Sequence, residues 1–182
     1  NLVQHSRRTI LIATDNTRDQ VNGVAVTFRH LAERGESAGY SMRFIDPSCF
    51  RNFSAPTYKE VKLAIPFGIS RQIEDIRPDY IHIATEGPIG LATKLYCDRK
   101  GLRYNTSYHT KFPEYMNLMF SIPENFSYRY FRWFHKHSGV VLTTTDRMCD
   151  LLKSKGIDAN IIPWTRGVDQ SLAQPRQEGQ IE

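Results

Sequence analysis

Ionisable and polar residues recur directly after short apolar runs in this chain. Asp15-Asn16 follows Ile10–Ala13, Thr85-Glu86 follows Tyr80–Ala84, and His109-Thr110 follows Tyr104–Tyr108. Thr144-Thr145-Asp146 follows Val140–Thr143, and Trp164-Thr165-Arg166 follows Ile161–Pro163. A second feature lies between the first run and the amphipathic stretch Val24–Glu33, where Asn22-Gly23 forms the mouth of a predicted helix. Gly23 has no Cβ, so a phosphate or a ligand backbone can come close. The free N–H groups of the first turn, beginning at Val24, point where the helix dipole favours an anion. An ordinary tight connection between strand and helix is the other reading of this loop.

The elements that must position these residues follow from periodicity. Strand-like runs are Ile10–Ala13, Ser41–Ile45, Lys62–Ile65, Tyr80–Ala84, Tyr104–Tyr108, Val140–Thr143 and Ile161–Pro163. Helix-length stretches separate most of them. Val24–Arg34 brings Val24, Thr27, Phe28 and Leu31 to one face, and Phe67–Ile76 does the same with Ile69, Ile73 and Ile76. Gly90–Lys100 begins just after Pro88 and stops at Gly101, a favoured C-terminal cap. Asp146–Lys155 takes Asp146 as its N-cap and Gly156 as its stop. Short buried strands alternating with helices predict an α/β, Rossmann-like, doubly wound parallel sheet of about seven strands. In such sheets ligands bind beyond the carboxyl ends of the strands, so the five polar strand ends converge on one crevice.

Composition narrows the classes. The chain has 182 residues, a formal charge of +5 and an apolar fraction of 40%, which suits one well-cored globular domain. No apolar run approaches the roughly 20 residues that span a bilayer, and no signal-peptide pattern opens the sequence. The chain starts at Asn1 and not at methionine, from which a piece of a longer protein is expected. Cys49, Cys97 and Cys149 are widely spaced and odd in number, which predicts free structural thiols in a reducing compartment, with cytoplasm the expected location. Residues 170–182 are polar and read as a tail or interdomain linker.

Several chemistries are absent from the pattern. There is no Gly-x-Gly-x-x-Gly after the first strand and no Walker-type loop. No Gly-x-Ser-x-Gly elbow occurs. Histidines and acids do not fall at metal-ligand spacing, and Asp-x-Asp is missing, so no metal and no cofactor is expected.

Four ordered motifs carry a family resemblance: Asp15 to Val24, Pro78 to Gly90, Thr106 to Thr110, and Arg166-Gly167-Val168-Asp169. Together they resemble the N-terminal half of GT-B glycosyltransferases of family 4, and most closely bacterial GDP-mannose-dependent α-mannosyltransferases and glycolipid-forming transferases. The likeness implies residues 1–169 as the acceptor-side domain. It also implies a separate C-terminal donor-binding domain that this chain lacks, and therefore inactivity of the chain alone. The implied reaction is retaining transfer of a hexosyl group, mannose or glucose, from a nucleotide sugar (GDP-mannose or UDP-glucose) to a lipid or glycan acceptor.

Residue by residue, the resemblance sets Asn22, Gly23 and Val24 against the donor diphosphate and His109 against the transferred sugar. Asp15, Glu86 and Thr110 become sugar- or acceptor-binding residues, and Arg166 and Asp169 a hinge. Glu86 has a second reading as a cap of the helix near Pro88, His109 as a core histidine, and Arg166 as a phosphate contact. Leu172-Ala173 departs from the family's usual aromatic before the proline matched by Pro175. A non-catalytic ligand-binding or regulatory module on the same sheet is the rival reading.

One stretch lies outside these motifs. Phe126 to His137 is aromatic and basic, with Arg129, Arg132 and Lys136 on one side of a helix and Tyr130, Trp133, Phe134 and His137 towards another. It reads either as aromatics packed on the sheet beneath a solvated basic face, or as a site meeting an anionic membrane surface. Three basic residues are too few for nucleic-acid binding.

Overall fold

Thr9–Ala13 forms β1, and from Ile10 onward it is buried. A strand shielded on both faces needs helices above and below, which is the arrangement found. The computed structural model describes residues 7–17, 23–54, 62–109 and 121–164. After β1 come α1 (Gly23–Ser37) and β2 (Ser41–Ile45). A short hairpin of β3 (Asn52–Ser54) and β4 (Lys62–Ala64) leads to α2 (Ile69–Ile76). Then follow β5 (Tyr80–Ile83), α3 (Pro88–Lys100) and β6 (Asn105–Ser107). The order closes with α4 (Glu124–His135), β7 (Val141–Thr143), α5 (Asp146–Ser154) and β8 (Ile161–Pro163).

Six strands pair in parallel in the order β2-β1-β5-β6-β7-β8. The expected α/β doubly wound sheet is therefore present. Two apolar layers flank it. Leu11, Ala13, Ile81 and Ile83 pack with Ile69 and Ile73 of α2 and with Ile89, Tyr96 and Cys97 of α3. On the opposite face Ile10, Ile12 and Met42 pack with Phe28 and the neighbouring Val24 and Leu31 of α1. A third cluster joins Phe131 of α4 to Val141, Ile161 and the α5 residues Cys149 and Leu152.

Four expectations change. Lys62–Ile65 is not a strand of the main sheet: β4 pairs antiparallel with β3 in a two-stranded hairpin. A four-residue apolar run fits either place, and only its partners decide. Helix α1 runs three residues past Arg34, because Gly35 lets the helix close on β2; a Cβ there would sit 2.6 Å from the Met42 sulfur. The N-cap of α5 is Thr145, whose hydroxyl accepts the Met148 N–H at 3.2 Å, while Asp146 becomes the acidic first-turn residue. In α4 the buried face is Ser127, Phe131, Phe134 and His135, whereas Trp133 and His137 are exposed.

Candidate functional site

Helix α1 leads the chain from β1 to β2 on one side, and the later strands extend on the other, starting with β5. The carboxyl ends of β1 and β5 therefore flank the point where the sheet reverses its winding, where the crevice of such a sheet opens. Asp15 stands at this point. Its Oδ1 accepts the Ile89 N–H at 2.8 Å, and its Oδ2 accepts the Thr85 hydroxyl at 2.6 Å and the Gly90 N–H at 3.4 Å. The Asp15 N–H in turn donates to Thr85 Oγ1 at 2.7 Å. Burial pushes the Asp15 carboxyl above the ordinary aspartate range, against the pull of these hydrogen bonds. Both oxygens are thus engaged by the fold. Asp15 thereby ties the end of β1 to the first turn of α3, and the expectation that it binds sugar or acceptor stands beside this structural role.

The Thr85-to-Gly90 motif reads as a set of packing requirements around this cap. A Cβ on Gly87 would lie 2.5 Å from the Asp15 carboxyl carbon. A Cβ on Gly90 would lie 1.8 Å from the Thr85 carbonyl oxygen, which no rotamer can relieve. Pro88 occupies the first helical turn, where its missing N–H costs nothing.

Glu86 does not cap α3. Its side chain turns into the core, 5% exposed, and Oε1 meets His135 Nε2 at 3.0 Å. The other ring nitrogen of His135 bonds Thr106 Oγ1 at 2.7 Å. The Tyr130 hydroxyl donates to the Glu86 carbonyl at 2.6 Å. Burial raises the Glu86 carboxyl, with His135 pulling it back and Asp15 adding to the rise. In this structure Glu86 Oε1 is paired with His135, beside the expectation of a contact with a sugar or acceptor hydroxyl.

The helix mouth has a different character. Gly23 begins α1 and is exposed, and a Cβ placed on it would meet nothing within 4 Å. Among the described residues no acidic side chain stands in the first turn of α1. Val24 follows, half-buried against the α1 side of the core. Beside the helix a cavity of about 420 Å³ is lined by Thr14, Asn16, Phe28, Arg29, Glu33 and Phe44, among others.

His109 follows β6 on the same side of the sheet. Its ring lies edge-on to Phe28 at 5.9 Å and stacks on Trp164 at 6.5 Å. Phe28 also touches the rings of His82, at 5.4 Å, and Trp164, at 5.6 Å. Each of the three partners keeps a buried ring nitrogen without a hydrogen bond: His82 Nδ1, His109 Nε2 and Trp164 Nε1. Burial lowers the His109 imidazole to about 4, and burial with His109 nearby lowers His82 to about 3. Both rings are neutral at neutral pH. Unpaired buried nitrogens are rare in proteins, and three of them surround Phe28.

Asn22, Thr110, Arg166 and Asp169 lie outside the described residues. Sequence reasoning placed Trp164 at a strand end and Tyr130 on an aromatic helix face, without their partners, and did not single out His82 or the pairing of His135. The interruption of the apolar run Ile81–Ala84 by His82 was a usable signal; the pairing of His135 with Glu86 had none. Among the described residues no group of three His, Cys, Asp or Glu could hold a metal ion. No described helix is long and apolar enough to cross a membrane.

The sequence model described as Glycosyltransferase Family 4 matches residues 21–172. No curated protein matches the chain.

Proposed function

The chain belongs to glycosyltransferase family 4, and we propose that it is the acceptor-side half of a retaining hexosyltransferase. The transferred sugar is mannose or glucose, the donor GDP-mannose or UDP-glucose, and the acceptor a lipid or glycan. The observation that carries this reading is His109 Nε2, buried and unbonded in the ring cluster beyond the sheet. A neutral imidazole can give or accept a hydrogen bond at a sugar hydroxyl, and it does not repel positive character developing at the anomeric centre. Gly23, open on its Cβ side at the start of a helix whose described first turn holds no acidic residue, supports the approach of the donor diphosphate. The 420 Å³ cavity is lined by aromatic Phe28 and Phe44 together with polar Asn16, Arg29 and Glu33, which suits a glycan or a polar lipid headgroup.

Contact with an anionic membrane surface belongs to the same proposal, with a cytoplasmic, peripheral location. It is supported by the outer side of α4, where Phe126 is 63% exposed and Arg129 and Lys136 are exposed. Donor chemistry falls to a second nucleotide-binding domain.

The test is a transfer assay on a natural chain that joins this domain to such a second domain. GDP-mannose and UDP-glucose are each offered with lipid and glycan acceptors, beside a His109→Ala variant. Loss of turnover by about a hundredfold or more, with folding kept, is the expected result. Unchanged turnover removes His109 from the site. Acceptor binding without turnover of any donor favours the non-catalytic module.

A further inference from the structure

Hydrogen-bond directions around His135 can be traced from one fixed end. The Val140 carbonyl only accepts, so the Ser138 hydroxyl gives it its single hydrogen at 2.7 Å. Ser138 must then accept from Thr106 Oγ1 at 2.9 Å, which uses the single hydrogen of Thr106. Thr106 Oγ1 is left as an acceptor towards His135 Nδ1 at 2.7 Å, so Nδ1 carries a hydrogen. Across the ring, Nε2 faces Glu86 Oε1 at 3.0 Å, and that contact holds one hydrogen, whichever atom it rides on. His135 is fully buried and Glu86 nearly so. Either placement leaves the pair net neutral, which avoids an unpaired buried charge.

The location of the pair gives it a task. Helix α4 holds Glu86 twice, through His135 on the side chain and through the Tyr130 hydroxyl on the carbonyl. The residues that follow Glu86 carry the Ile89 and Gly90 N–H groups that bind Asp15. Asp15 from the end of β1 and Tyr130 from α4 are the other ionisable groups acting on Glu86. Removing the pair takes away the side-chain half of the hold that α4 has on the turn between β5 and α3.

We propose that Glu86 and His135 form one positioning unit that shares a single hydrogen between Oε1 and Nε2, with the ring oriented by Thr106. The unit fixes the turn from β5 into α3 against Asp15. Its consequence for sugar transfer rests on the function proposed above; its proton count does not.

The test is nitrogen-15 NMR of the labelled chain, reading the imidazole nitrogens and the backbone amides. His135 Nδ1 is expected to be protonated, with a slowly exchanging hydrogen. In Glu86→Gln the amide donates to Nε2, so Nδ1 stays protonated and the amide signals of Ile89 and Gly90 hold their positions. In Glu86→Ala and His135→Ala those amides shift. A bare Nδ1 in the parent chain overturns the proposal, as does Glu86→Gln moving the amides as far as Glu86→Ala. Should His135→Ala fail to fold, the ring spectrum and the two Glu86 variants decide the matter alone. Neither readout involves a sugar, so failure here and failure of the transferase reading are separate results.

Discussion

Asp15, two residues past β1, accepts the N–H of Ile89 at 2.8 Å across 74 residues of sequence. One carboxylate thereby ties the end of a strand to the start of a helix. Asp15→Ala leaves the Thr85 hydroxyl and the first turn of α3 without their acceptor. A loss of about 2 kcal/mol is expected, read from urea denaturation. Asp15→Asn, which keeps one acceptor oxygen, is expected to lose less.

Two glycines should respond in opposite ways. Gly90→Ala forces a Cβ to 1.8 Å from the Thr85 carbonyl oxygen, and a loss of at least about 3 kcal/mol or failure to fold is expected. Gly23→Ala meets nothing within 4 Å, so stability stays within about 0.5 kcal/mol. If the donor diphosphate approaches there, affinity for the nucleotide sugar in the two-domain enzyme falls about tenfold or more, a change of about 1.4 kcal/mol. Unchanged affinity detaches the helix mouth from the donor.

Acid should weaken the fold through the buried imidazoles. His109 is lowered to about 4 and His82 to about 3, so the unfolded chain binds more protons than the folded one below about pH 6.5. Stability from these groups is complete above about pH 6.5 and is lost as pH falls towards about 3. The raised carboxyls of Asp15 and Glu86 act with the opposite sign above their ordinary values. The quantity to measure is therefore the difference between the parent chain and His109→Gln. Between pH 7 and pH 4 the parent should lose more, by on the order of 3 kcal/mol. Parallel curves contradict the burial of His109.

Thiol chemistry should report the packing. Cys49 is exposed, while Cys97 and Cys149 are buried and free. Burial and the neighbouring Asp98 push the Cys97 thiol to about 12, which leaves almost no reactive thiolate at neutral pH. Ellman's reagent should modify one of the three cysteines rapidly in the folded chain and all three in urea.

The alternation of apolar runs with amphipathic stretches made the α/β class legible, because a parallel strand must be apolar on both faces and a covering helix on one. Gly101 was readable as a helix stop for a local reason: it takes the left-handed conformation, and its N–H closes on the end of α3. The hairpin of β3 and β4 was not readable, since three-residue strands carry too little pattern to reveal their partners. Thr145 and Asp146 were interchangeable as caps until one hydroxyl was seen to bond Met148.

At the site the division is sharper. The sequence alone showed which residues follow the strands, among them Asp15, Glu86 and His109, and placed Gly23 at the start of a helix. The hydrogen-bond partners of Asp15 and Glu86 were decided only by tertiary structure. A carboxylate in sequence carries no mark of its direction, and hydrogen bonds to Ile89 and His135, 74 and 49 residues away, turn both groups inward. Local pattern determines which elements form. Whether a polar group serves the fold or a ligand depends on donors that only folding brings within reach.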